Sequence, residues 1–153
     1  MKLFFDARYI RTDYHDGVSR YSYEIAHALA KLTPVTFIIS DDAQIQLLPL
    51  GSDVVKIHKP DSPLEPFTGL KLNKFKPDVV VSPMQTMGSL GRRFKLILTL
   101  HDMIYYKHRL PPPQAKGFVR PLWRLFHLWY WPQRLVLNRA DIVATVSNTS
   151  RDE

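Results

Sequence analysis

The chain has 153 residues, 45% apolar and 23% charged, enough sequence for about one domain with a proper core. It contains no cysteine, which excludes a disulfide framework, thiolate chemistry and a cysteine-based metal site. The formal charge of +7 favours anionic partners such as nucleotide phosphates or lipid headgroups, and no apolar run approaches the ~20 residues of a membrane-spanning helix.

Residues 2–5 predict a strand whose C-terminal end carries Asp6 and Arg8. A polar loop over 9–17 closes on Asp16-Gly17. Apolar residues at 18, 21, 25, 29 and 32 then recur at spacings of three and four, the mark of an amphipathic helix over 18–32. Thr33-Pro34 ends it. A second strand is predicted at 35–40, a short helix at 41–48 and a third strand at 53–58. Residues 59–66 hold three prolines and read as loop, and 67–75 as one or two helical turns.

Three consecutive valines place a fourth strand at 78–82, followed by a glycine-containing loop at 84–93. The apolar run 96–100 predicts a fifth strand buried on both faces, ending on His101 and Asp102. After Pro111-Pro112-Pro113, residues 114–139 predict helix, interrupted at Pro121 and Pro132. The last strand is expected at 141–146. Residues 147–153 read as the opening of another helix, with Ser147, Thr149 or Ser150 as its N-cap.

Strands alternating with helical segments imply βαβ units, and hence an α/β fold with a mostly parallel sheet and helices on both faces. In such a sheet the C-terminal strand edge is where ligands bind. His101 and Asp102 stand at that edge. The chain ends as a helix opens after a strand, so the expectation is the N-terminal part of a longer polypeptide. The first six residues show no apolar h-region of a secretory signal, and a cytoplasmic location is expected.

The charge is unevenly placed. Residues 103–140 hold seven Lys or Arg, no Asp or Glu, and all three tryptophans. The rest of the chain carries 14 charges of each sign, so this segment accounts for the whole excess. Trp123, Phe126, Trp129 and Tyr130 form an aromatic face, with Lys116, Arg120 and Arg124 nearby. Aromatic groups with basic neighbours suit an anionic bilayer surface, a lipid-phosphate acceptor or, by stacking and charge, nucleic acid. The plainer alternative is a core helix whose aromatics pack on the sheet while its arginines are solvated.

Three stretches together resemble family 4 glycosyltransferases. Asp6-Ala7-Arg8 followed by Asp16-Gly17-Val18-Ser19-Arg20-Tyr21 resembles the family's "DxR…GIGRY" start. Thr99-Leu100-His101-Asp102 looks like its "T-hydrophobic-H-D" strand end, and residues 140–147 are similar to its "AD-xx-xxVS" strand. Many relatives carry two glycines at the first turn, where this chain has only Gly17.

The resemblance implies the N-terminal, acceptor-side Rossmann-like domain of a GT-B enzyme over residues 1–153. A C-terminal domain outside this chain would bind most of the donor. The implied reaction is retaining transfer of a sugar, mannose being one candidate, from a nucleotide-sugar co-substrate to a glycan or lipid-linked acceptor. Polysaccharide biosynthesis is the implied setting. No cofactor or metal is expected, no nucleic acid partner is expected, and the inner face of the plasma membrane is a candidate location.

On that basis His101 and Asp102 are the candidate catalytic residues. Arg8, Asp16, Gly17, Arg20, Tyr105, Arg109 and Ser147 are the candidate substrate-binding residues. Lys116, Arg120, Trp123, Arg124 and Trp129 form the candidate membrane or acceptor patch. For Gly17 the alternative is a helix cap, and for His101 a satisfied strand-end histidine. A non-enzymatic Rossmann-like binding module with a basic membrane patch is the alternative function. A dinucleotide dehydrogenase is disfavoured, because no Gly-x-Gly-x-x-Gly follows the first strand.

Overall fold

The structure, a computed structural model, describes residues 1–101 and 131–147. The described residues build a six-stranded parallel sheet of β1 (Leu3–Asp6), β2 (Val35–Ile39), β3 (Asp53–Lys56), β4 (Val79–Ser82), β5 (Lys95–Leu100) and β6 (Ile142–Thr145). Each expected strand forms within two residues of its expected ends. The spatial order is β3-β2-β1-β4-β5-β6, with every neighbouring pair parallel. This is the doubly wound, Rossmann-like order, and it reverses direction between β1 and β4. There the loops leaving the two carboxyl ends diverge and open a crevice.

The sheet separates two apolar cores because successive side chains on a strand point to opposite faces. Leu3, Phe5, Val35, Phe37 and Ile39 fill one face, where the Phe5 and Phe37 rings meet edge-on at 6.2 Å. Phe4, Ile38, Val80, Leu96 and Leu98 fill the other. With both faces covered, alternation in sequence is lost and β1 reads as a continuous apolar run until Asp6.

The first core is covered by α1 (Gly17–Leu32), capped by the Asp16 carboxylate on the Ser19 N–H at 2.8 Å and stopped at Thr33 before Pro34. Its deepest residues are Ser19, Ser22 and Ala26. The stripe expected at 18, 21, 25, 29 and 32 is therefore corrected. Ile25 and Leu29 pack only partly against the core, and Leu32 is 81% exposed. A helix lying close on a sheet needs small side chains directly beneath its axis, so the large apolar ones flank the contact.

The short helix expected at 41–48 is a 3-10 helix, Asp42–Leu47. Helical residues over 65–75 form one run: 3-10 turn Glu65–Phe67, helix α2 (Thr68–Leu72) and 3-10 turn Asn73–Phe75. Leu72 and Phe75 pack on the second core, joined by Val136 and Leu137 of helix α3 (Trp131–Leu137). The part of the expected 114–139 helix before residue 131, and most of the helix expected at 147–153, lie outside the described residues.

Candidate functional site

The carboxyl end of β1 carries a buried ionic cluster. Arg8 meets Asp6 through Nε to Oδ1 at 2.8 Å and Nη2 to Oδ2 at 2.9 Å. It meets Glu65 through Nη1 to Oε2 at 2.7 Å and Nη2 to Oε1 at 2.9 Å, and Nη1 also donates to the His58 carbonyl at 3.2 Å. A guanidinium has five N–H donors, and all five are directed to protein acceptors. Arg8, expected among the substrate-binding residues, thus has a fully buried side chain held inside the sheet edge by two carboxylates. Burial alone would lower its pKa, but Asp6 and Glu65 outweigh that and hold it above the ordinary value.

His58 lies beside this cluster, with Nε2 at 3.2 Å from Glu65 Oε2 and 2.9 Å from Thr68 Oγ1. Its Nδ1 is buried without a protein partner. Burial lowers its pKa, Glu65 opposes the shift and Arg8 adds to it. A neutral ring with the proton on Nε2 fits, because a second N–H at Nδ1 would be a buried donor with nowhere to go. On the β4 side of the crevice, Tyr9 Oη and Thr86 Oγ1 bond at 3.0 Å across the point where strand order reverses. Burial and then the Asp6 charge raise the Tyr9 phenol above its ordinary value.

The second cluster joins two of the sequence motifs. Asp16, beyond capping α1, pairs through Oδ2 with Arg11 Nε at 3.2 Å. The buried Ser19 hydroxyl accepts from the Arg11 N–H at 2.8 Å and lies 2.9 Å from His15 Nδ1, folding the 11–19 loop onto the helix start. Two residues on, the Tyr21 ring meets the His101 ring edge-on at 4.9 Å. His101 Nε2 lies 2.7 Å from the Pro83 carbonyl oxygen. A carbonyl only accepts, so Nε2 carries a proton and donates it to Pro83. Thr99 Oγ1 donates to the Ser82 carbonyl at 3.0 Å, so the ends of β4 and β5 are tied together directly below.

Between these clusters a cleft of about 490 Å³ opens at the carboxyl edge, lined by residues 8–13, Asp16, Val18, Ser40, Asp41, Gln44, 59–61 and Met84. A larger cavity of about 720 Å³ lies at the opposite edge, around Lys2, Thr33, Asp53 and Val54. That edge is formed by strand starts, whereas parallel α/β sheets bind ligands beyond their carboxyl ends, so the smaller cleft is the candidate site. Its walls are polar and of both signs, with Arg11 and Lys59 facing Asp13, Asp16, Asp41 and Asp61. Such a wall can hydrogen-bond a polyhydroxylated ligand by donors and acceptors alike.

Gly17 opens α1 with a Cβ direction that meets nothing within 4 Å, so the chain's own packing does not require glycine there. The side chain of Arg20 is on the exposed surface, and Ser147 lies two residues beyond β6. Asp102, Tyr105, Arg109, Lys116, Arg120, Trp123, Arg124 and Trp129 lie outside the described residues. Among the described residues no group of three His, Cys, Asp or Glu converges as a metal site, and no helix is long and apolar enough to cross a membrane.

Three residues of the site escaped the sequence reading. Glu65 stands between two prolines with no periodicity to mark it. Thr86 lies in a loop. Gln44 closes a capping box with Asp41, a spacing visible in sequence. Its amide also donates to the carbonyls of Ala7, Arg8 and Ile10 at 3.1, 3.1 and 2.7 Å, which no local pattern announces.

Comparison with curated proteins and with solved structures returns no match. The sequence model of Glycosyltransferase Family 4 matches residues 15–153, from the loop that builds the N-terminus of α1 through β5, His101 and β6. That match spans most of the chain and includes the start of α1 and the ends of β4 and β5, while β1 precedes it. With a doubly wound parallel sheet carrying those motifs at its carboxyl edge, the chain belongs to Glycosyltransferase Family 4.

Proposed function

We propose that this chain is the acceptor-side domain of a retaining glycosyltransferase, completed by a second domain that binds most of a nucleotide-sugar donor. The acceptor is a glycan or a lipid-linked sugar, and mannose is a candidate for the transferred group. The observation that carries the reading is the meeting of His101 with Tyr21 of α1 beside the crevice, in a chain of this family. In this reading His101 faces the donor from the end of β5, and Asp102 orients it. The Gly17 and Val18 N–H groups at the start of α1 favour negative charge on the departing phosphate. Catalysis then comes from positioning and from charge stabilisation, with no resident metal.

The basic aromatic segment 103–140 is proposed to hold the domain against an anionic membrane on the cytoplasmic side, close to a lipid-linked acceptor.

The test is sugar transfer by the complete two-domain enzyme, with UDP- and GDP-sugars as donors and glycan acceptors. His101→Ala is expected to lower kcat/KM at least ~10-fold, about 1.4 kcal/mol of transition-state binding, without unfolding the domain. The 153-residue chain by itself is expected not to turn over. Unchanged kinetics would make His101 a structural histidine, and no transfer from any donor would leave a binding module.

A further inference from the structure

We infer that Glu65 is a positioning residue of the transfer site, acting through Arg8 and the His58 carbonyl to hold the 59–61 rim of the cleft. One carboxylate gathers three separate segments. Its Oε1 accepts from Arg8 Nη2 at 2.9 Å and from the Gly88 N–H at 3.3 Å. Its Oε2 accepts from Arg8 Nη1 at 2.7 Å and Thr68 Oγ1 at 3.0 Å, and faces His58 Nε2 at 3.2 Å. Arg8 leaves β1, His58 follows β3 and Gly88 follows β4, so the ends of three strands meet on this side chain.

The link from Glu65 to the cleft runs through one side chain. Arg8 Nη1, held by Glu65, donates to the His58 carbonyl, and the next residue is Lys59. Lys59, Pro60 and Asp61 line the cleft opposite Arg11 and Asp16. The rim has little support of its own, because Pro60 and Pro63 carry no N–H. Backbone bonds near it are the local Ser62 N–H to Lys59 O at 3.1 Å and Glu65 N–H to Ser62 O at 3.0 Å, and Ile57 N–H to Ile39 O at 2.9 Å.

The β4 loop is seated on the same point. A Cβ on Gly88 would fall 1.7 Å from the Glu65 carbonyl oxygen, so the two backbones touch with no room for a side chain. Gly88 O in turn accepts from the Gly69 N–H at 3.0 Å. Met84 and Thr86 in that loop face the cleft and Tyr9 respectively. Glu65 therefore sets the spacing between two walls of the crevice without reaching into it.

The kinetic consequence rests on the glycosyltransferase reading, while the structural coupling does not. The experiment compares wild type with Glu65→Gln and Arg8→Lys in the complete enzyme. Glutamine keeps the volume of Glu65 but turns an amide NH₂ toward the donors of Arg8 or Gly88. Lysine keeps the charge of Arg8 but cannot make two bidentate pairs.

Both variants are expected to exchange the hydrogen-bonded amides of Ser62, on the rim, and Gly88 at least ~10-fold faster, with β1, β2 and β4 unchanged. In the transfer assay the acceptor KM is expected to rise at least ~5-fold, with kcat within about twofold. Purely structural glue would instead speed exchange across the whole sheet, or lower kcat through a smaller folded fraction at constant KM. Either result, or no change in the variants, overturns the inference. If wild type transfers no sugar, the functional reading falls separately, and the exchange comparison still decides the positioning role.

Discussion

Gly17 stands at the first position of α1 with open space where a side chain would project. Its φ is not in the left-handed region, so an alanine meets neither a clash nor backbone strain. Gly17→Ala is expected to change stability by no more than about 1 kcal/mol, since alanine is the better helix former. If a donor phosphate reaches the Val18 N–H through that space, the added methyl raises the donor KM about fivefold, roughly 1 kcal/mol. Isothermal titration of the complete enzyme with the donor nucleotide, beside a thermal melt, separates the two effects. An unchanged affinity makes Gly17 a helix opener and nothing more. Ser19 already limits the site, because the Asp16 carboxylate occupies its N–H.

At the scale of elements, one carboxylate ties the start of the edge strand β6 to β5, beside the backbone ladder between them. Asp141 precedes it and accepts from the Leu96 N–H at 2.9 Å and Lys95 Nζ at 3.0 Å, with Arg92 Nη1 at 2.7 Å. The Leu96 N–H first, and then Lys95, hold its pKa at about 2, below the ordinary 3.8. A depressed carboxylate pKa stabilises the fold above the unfolded value, and the contribution disappears as pH falls through the folded one. Asp141→Asn is therefore expected to cost about 1 kcal/mol near neutral pH, because solvent screens a carboxylate on an exposed residue. The difference from wild type should stay constant down to pH ~5 and shrink between 3.8 and 2. Urea unfolding at a series of pH values checks this, and a pH-independent difference would remove Asp141's charge from the account.

At the scale of the whole molecule, the excess charge and the sheet order belong to different regions. The seven uncompensated cations of 103–140 follow β5, at whose end His101 stands. Each cation close to an anionic bilayer contributes roughly 1 kcal/mol, screened over ~8 Å at physiological salt. The chain is expected to sediment with vesicles containing anionic lipid, less as salt rises, and hardly at all with neutral vesicles. Lys116, Arg120 and Arg124 replaced together by Gln should weaken the binding without unfolding the protein. If wild type ignores anionic vesicles at low salt, a soluble glycan becomes the favoured acceptor.

The sequence by itself determined the strands, their order along the chain and the family. Those signals are local: apolar runs of strand length, prolines and glycines between them, and short motifs on strand and helix ends. The stop of α1 at Thr33-Pro34 was legible for the same reason. Which face of α1 lies deepest was not, because hydrophobic period finds the large residues while close packing on a sheet selects Ser19, Ser22 and Ala26. Nor was the ion pairing of Arg8. Its partner Glu65 is 57 residues away, and the two meet only because β1 sits between β2 and β4, so loops from β3 and β4 converge over its carboxyl end. An ion pair of that range leaves no spacing to read. Only the folded sheet order buried the Arg8 side chain between Asp6 and Glu65 and set Arg11, Lys59 and the aspartates around the cleft.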